Sequence, residues 1–346
     1  MKNLTKLTNL TFALIAFMLL LTACSKDDDD GKNKPSSAEI DIYISGNGRN
    51  YWKNGQEFFV PHMPQYQGDN STSAIRNMFV NGNDVHFAGV LSAVSWTAIY
   101  WKNNNPIRLE EYGNNSFQSR AEGIYAKGND LYVCGWSYLQ GEKRRAKYWK
   151  NGNATVLTDG TKEAWVTSIL AEGDDVYVTG YEDYKAAYWK NNVKHELPEG
   201  NNAEQIIIHN GDVYILGSGY VDINANNGPK KIIVWKNGVA NIVDEGRYNV
   251  TGMFIDNNDI YISGEDYTNS NSNNYVRSAI YWKNGQKTVL TTNTEARTSG
   301  IAVNNEDVYV SGTEGNKPVY WKNRERVDLN FTGDYASTTA IQIVNK

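Results

Sequence analysis

Seven tryptophans share one repeated setting, and their spacing limits the fold more than any other feature of the chain. YWKNG occurs at 51–55 and 281–285, YWKN at 100–103, 148–151, 188–191 and 320–323, and VWKN at 234–237. Trp52, Trp101, Trp149, Trp189, Trp235, Trp282 and Trp321 therefore recur about every 45 residues, a period of propellers and of helical solenoids. The segments between them are short β-branched and aromatic runs bounded by Asn, Asp and Gly, which is strand chemistry. A catalytic motif seldom needs seven copies, whereas a structural joint does.

A second motif recurs in step, as in Asp130-Leu-Tyr-Val-Cys-Gly135 and Asp307-Val-Tyr-Val-Ser-Gly312; its aspartates are 41, 84, 130, 175, 212, 259 and 307. An apolar run such as Met253-Phe-Ile255 precedes the last six copies, and a short run such as Thr155-Val-Leu157 follows each tryptophan motif. Each repeat thus holds four strands, A to D, with the aspartate motif as B and the tryptophan motif as C. The first repeat lacks strand A. Residues Ala340-Ile-Gln-Ile-Val-Asn345 align with the A strands elsewhere, so the last strand is expected to complete the first blade. The expected fold of residues 38–346 is all-β: a seven-bladed β-propeller, four antiparallel strands per blade, closed without an exposed inner edge. The pattern resembles seven-bladed β-propellers generally. The WD dipeptide, the kelch glycine pairs and the sialidase Asp boxes are missing from it.

Within strand C, Tyr51 and Lys53 share one face and Trp52 takes the other. The tryptophans should wedge between blades, and Asn54-Gly55 should turn the C–D hairpin. Lys53, Lys102, Lys150, Lys190, Lys236, Lys283 and Lys322 end the C strands where the B strands begin with aspartate. Seven cross-strand Asp–Lys pairs are expected rather than a basic ring for an anion, each contributing about 0.2–1 kcal/mol.

A–B and C–D turns are short, so one face of the ring carries all the variety: B–C loops at 90–97, 136–147, 218–231 and 265–277, and D–A loops at 61–72, 110–119 and 291–297. Binding sites favour variable loops on a rigid scaffold. That face collects Trp96, Trp136, Tyr138, Tyr181, Tyr184, Tyr220, Tyr267 and Tyr275 from B–C loops, with His62, Tyr66, Tyr112, Phe117, Trp165, Tyr248, Phe331 and Tyr335 from D–A loops. Flat rings beside Asn and Asp suit sugars, which present apolar faces and hydroxyl edges. The A strands open with a polar column of Arg76, Glu122, Thr167, Glu204, Thr251, Ser299 and Thr339, set above small residues that let strands crowd an axis. The expected ligand contacts are Arg76, Glu122, Glu204, Trp96, Trp136, Trp165 and Tyr248.

Chemistry beyond binding finds little footing. No His pair has zinc spacing. Asp222-Ile-Asn-Ala-Asn226 opens like a calcium loop, but Gly228 comes one position late and Ile233 stands where a bidentate Glu belongs. Cys134 occupies a column of small residues and reads as a buried inert thiol. Glu122 and Glu204 could act as paired carboxylates, although no nucleophile–base constellation accompanies them. No catalytic residue, metal or cofactor is expected.

The chain begins with Lys2 and Lys6, an apolar run from Phe12 to Leu21, and Leu21-Thr22-Ala23-Cys24. This resembles a bacterial lipoprotein signal, which implies removal of residues 1–23 and lipidation of Cys24. Ser25-Lys26-Asp27-Asp28-Asp29-Asp30 within the 24–37 tether resembles the surface-export signal of outer-membrane lipoproteins in one Gram-negative phylum. Loss of the two leader lysines moves the formal charge from −5 to −7, which argues against a nucleic-acid partner. The expectation is a monomeric propeller, lipid-anchored in the outer membrane and facing outward, that binds a glycan or other extracellular polymer. A protein–protein scaffold in an outer-membrane complex and a polysaccharide lyase or hydrolase are the alternatives.

Overall fold

The computed structural model describes residues 39–63, 71–93, 95–110, 117–222, 228–270, 276–292, 295–334 and 336–346. The signal segment, Cys24 and the acidic tether lie outside them, as do Tyr66, Tyr112, Tyr275, Tyr335 and residues 223–227 of the calcium-like loop.

Asn at the end of strand C sets the hairpin that repeats through the fold. Its φ is positive in all seven copies, 49° to 53°, as a tight two-residue hairpin turn requires. Asn54 Oδ1 accepts from Ile42 N at 2.8 Å while Nδ2 donates to Asp41 Oδ1 at 2.8 Å, and the same two bonds recur in the other six repeats. The aspartate's second oxygen takes the lysine. All seven expected pairs form, at 2.7–3.1 Å. Six of those lysines also lie 5.1–5.4 Å from the ring of the strand-B tyrosine; in blade 2 that tyrosine is replaced by the buried His86. Lysine and asparagine together hold the aspartate carboxyls below their usual range. The folded state is thus favoured at neutral pH, and this contribution is lost as pH falls below about 4.

These hairpins build seven four-stranded antiparallel sheets, each in the order A-B-C-D. Blade 1 takes strand A from Thr338–Asn345, then Ile40–Gly46, Asn50–Lys53 and Gln56–Phe59; blade 2 runs Thr72–Asn81 to Asn105–Arg108 and blade 3 Phe117–Lys127 to Asn153–Val156. Blade 4 runs Ala164–Glu172 to Val193–Glu196, blade 5 Asn202–His209 to Val239–Gly246, blade 6 Tyr248–Asp256 to Gln286–Val289 and blade 7 Ala296–Asn304 to Glu325–Asp328. Neighbouring A strands contact one another all the way round, including blade 7 with blade 1 and blade 1 with blade 2. The ring is a seven-bladed β-propeller, closed by the pairing of Thr338–Asn345 with Ile40–Gly46.

Among the described residues the apolar core is divided into seven clusters, each between two adjacent blades. Every motif tryptophan is buried in one of them, at 0–1% exposure. The indole nitrogens reach backward across the gap: Trp101 to Pro61 O at 2.9 Å, Trp235 to Pro198 O at 2.9 Å, Trp149 to Glu110 Oε1 at 3.1 Å and Trp282 to Asp244 Oδ2 at 2.9 Å. Each ring fills the gap between its own blade and the one before it, and Trp52, Trp101, Trp149, Trp235 and Trp282 also bond the end of that preceding blade.

Candidate functional site

Strand A of every blade carries a bulge, and the seven unpaired residues are Arg76, Glu122, Thr167, Glu204, Thr251, Ser299 and Thr339. A bulge re-aims one side chain out of the alternation of its strand. Opposite it lies the glycine that ends the strand-B motif. A Cβ on Gly135 would fall 1.9 Å from Arg120 O, and one on Gly312 would fall 2.0 Å from Arg297 O and 2.6 Å from Trp321. The polar column of the sequence is therefore a row of bulges around the axis. Below it the small residues let neighbouring backbones meet: a Cβ on Gly252 would stand 3.0 Å from Gly300 Cα.

The hydroxyl bulges mostly tie blades together. Thr251 Oγ1 lies 2.7 Å from Thr298 Oγ1, Ser299 Oγ 2.7 Å from Thr338 Oγ1, and Thr167 Oγ1 donates to Ala203 O at 2.8 Å. The axial cavity beneath has a volume of about 490 Å³ and reaches down past Gln205 and Gln342. Both glutamines bridge to a neighbouring A strand, Gln205 through Met253 N at 2.6 Å and Gln342 through Val80 N at 2.7 Å.

The three charged bulges behave differently. Glu122 accepts from Arg120 Nε and from Trp136 Nε1, the latter at 2.9 Å. Burial pushes its carboxyl upward, and those two donors and the charge of Arg76 oppose that. Arg76 is itself held below the usual guanidinium range by burial and by the like charge of Arg120. Glu204 lines the axial cavity with Asn202 Nδ2 as its donor. Desolvation raises its pKa to about 7, partly opposed by Lys230. A carboxyl raised in the folded state destabilises it once the unfolded chain has ionised. Stability should therefore fall as pH rises from about 4.5 to 7 and stay lower above that. Glu204→Gln should remove this slope and gain about 1–2 kcal/mol at pH 8, water in the channel reducing the full effect. Urea melts at pH 5 and pH 8 measure it; a variant with an unchanged slope would contradict the assignment.

The expected tryptophan contacts come together, but around arginines. Trp96, Trp136 and Trp165 form a row with ring centroids 6.0 and 5.6 Å apart. Arg120 lies 5.6, 5.5 and 4.7 Å from the three rings, and Arg144 lies 4.9 and 5.1 Å from Trp136 and Trp165. Arg144 is held in turn by Glu163 at 2.6 Å. Trp136 is only 1% exposed, and Trp96 is 38% exposed. All three sit in strands and not in loops, because the ladders continue two to four residues beyond the motifs: Asp130–Leu139 contains Trp136, Trp96–Lys102 begins with Trp96, and Ala164–Glu172 contains Trp165. Trp136 is buried, and both Arg120 and Arg144 stand at the rings of Trp136 and Trp165, so this row reads as a packed seam across blades 2 to 4. Arg120 and Arg144 were not singled out from the sequence; the run Lys143-Arg144-Arg145 beside an aromatic strand was the available signal.

Tyr248 lies elsewhere, in an open recess between blades 5 and 6. The recess, about 500 Å³, is lined by Tyr220, Lys230, Arg247, Tyr248, Asn249 and Tyr267 with Gly228. Tyr248 is fixed edge-on against Trp282, centroids 5.3 Å apart at 79°, and its hydroxyl takes a bond from Lys287 at 3.0 Å. Tyr267 donates to Glu265. Lys230, Arg247 and Asn249 were missed in the sequence, although blade 5 alone opens strand C with two lysines and writes VWKN for YWKN.

Other expected features resolve as packing. His62 has both ring nitrogens engaged, with Ser73 Oγ at 2.9 Å and Ser71 Oγ at 3.1 Å. Cys134 is fully buried, and burial pushes its thiol up, out of reactive range.

No protein-family model matches the chain, and no curated protein matches it significantly. Among solved structures it is similar to a Mycobacterium tuberculosis puromycin-hydrolysing peptidase, at TM-score 0.48 and 12% identity over 75% of this chain and 46% of that one. It is also similar to the Trypanosoma rangeli sialidase in complex with sialic acid, at TM-score 0.44 and 9% identity over 86% and 56%. The SapL1 lectin in complex with alpha methyl fucoside gives TM-score 0.41 and 10% identity over 72% and 93%. The chain spans about half the length of the peptidase and of the sialidase. Similarity this distant carries no residue roles across, and the blades themselves establish the propeller.

Proposed function

We propose that this chain is a cell-surface lipoprotein, anchored through Cys24, whose propeller binds a glycan on its long-loop face. The observation that supports the binding reading is the recess between blades 5 and 6. Three tyrosines wall an open volume of about 500 Å³, with Lys230, Arg247 and Asn249 between them. Aromatic walls with a few polar groups are the usual make-up of a small-molecule site, and two of these rings are held in place before any ligand arrives. The opposite face offers no comparable variety, since its lysines and aspartates neutralise each other seven times over.

An oligosaccharide array tests the proposal. Binding by the wild-type protein should weaken about tenfold or more in Tyr248→Ala, the loss of one stacked ring, while Trp96→Ala leaves it nearly unchanged. Binding that depends on Trp96 and ignores Tyr248 would refute the location. The anchor is tested separately: a lipid-labelled band in cells should vanish in Cys24→Ser.

A second reading has its own support. The outer strand of blade 5, Val239–Gly246, is eight residues long where every other outer strand has four, and it exposes Val239 and Ile242. Such an edge can accept a strand from a protein partner.

A further inference from the structure

Lys230 and Arg247 stand out within the recess because their neighbours are matched and they are not. Around them, Lys231 pairs with Glu199 at 2.8 Å and Lys287 with Asp266 at 3.0 Å. Among the described residues neither Lys230 nor Arg247 has a carboxylate within ion-pair distance. Lys230 Nζ lies 5.8 Å from the centroid of Tyr220, and Arg247 gives one bond, to Ser270 O at 3.1 Å. Lys230 begins strand C of blade 5, and Arg247 is the single residue between the outer strand of blade 5 and the inner strand of blade 6. The two come from different segments yet line one recess. They do so in a chain whose formal charge is −5.

We propose that the recess takes an anionic saccharide, its carboxylate or sulfate held by Lys230 and Arg247 and its ring faces against Tyr220, Tyr248 and Tyr267. This rests on the glycan-binding reading above and narrows it. Arg247 presents a planar fork of donors that matches a carboxylate or sulfate edge, and Lys230 adds a point charge that can turn to meet it. Asn249 supplies a donor and an acceptor for a neighbouring hydroxyl. Tyr248 and Tyr267 are already tied by Lys287 and Glu265, so little ordering remains to oppose binding. The anion would take the place of the missing carboxylate partner.

Calorimetric titration with four oligosaccharides of equal length tests this: an oligouronate, the same oligomer with its carboxyls reduced, a sulfated neutral oligomer, and the neutral oligomer itself. The uronate or the sulfated oligomer should bind at least about 10-fold more tightly than its uncharged counterpart, since charge-assisted bonds are the stronger class. That advantage should shrink with added salt. In the Lys230→Gln/Arg247→Gln double variant, the charged and uncharged members of each pair should bind equally. Which charged oligomer binds separates carboxylate from sulfate. Equal binding of charged and uncharged oligomers by the wild type would overturn the proposal and leave glycan binding standing. Failure of all four to bind would remove both.

Discussion

Trp235→Ala is expected to destabilise the propeller by about 3–5 kcal/mol, the range for deleting a buried aromatic ring. Trp235 is fully buried among Ala186 and Leu197 of the preceding repeat and Ala203, Ile215 and Ile233 of its own. Its indole also bonds Pro198 O at 2.9 Å, an acceptor that would be left unpaired. The fit is close: a Cβ on Gly200 would fall 2.4 Å from the ring, so no neighbour is poised to fill the hole. The adjacent Lys236 gives the control. Its pair with Asp212 at 2.8 Å is exposed and interchangeable with water, so Lys236→Met should change stability by no more than about 1 kcal/mol. Urea unfolding of both variants decides the matter. Equal losses would contradict the division of the motif into a buried wedge and an exposed pair.

Deleting residues 338–346 should have the larger effect, loss of the closed monomer. Thr338–Asn345 pairs along its length with Ile40–Gly46, and it packs against the inner strands of blades 7 and 2. Without it the first blade has three strands, an unpaired inner edge faces the axis, and the cluster of Ile44, Trp52, Leu329 and Ala336 is opened. An unpaired edge beside exposed apolar surface is a template for association. Size-exclusion chromatography should show aggregates for the deletion and a single compact species for the intact protein. A truncated chain that stays monomeric and melts as before would show that closure contributes little.

The repeat was legible because its causes are local and recur seven times. Period, strand chemistry, hairpin turn, Asp–Lys pairing and closure all follow from residues a few positions apart, or from copies that can be aligned. The limits of the strands were not legible in the same way. Trp136 and Trp165 lie beyond the motifs, where the ladders continue past the point at which the repeats stop agreeing. Arg76, Glu122 and Glu204 share a column in the sequence and a bulge in the fold, yet their surroundings part them: the first two belong to the arginine–tryptophan seam, the third to the axial cavity. The recess escaped notice for a related reason. Tyr220 ends strand B of blade 5, Arg247 links blades 5 and 6, and Tyr267 follows strand B of blade 6, so only the path of the chain brings them to one place. Tyr248 alone of the expected contacts was found there.

A crystal structure of the propeller soaked with a saccharide it binds tests the proposed binding between blades 5 and 6 most directly. The predicted result is sugar density against Tyr220, Tyr248 and Tyr267, with any acidic group within hydrogen-bonding distance of Lys230 and Arg247. Density over Trp96, or on the face that carries the aspartate–lysine pairs, with an empty recess between blades 5 and 6, would contradict it.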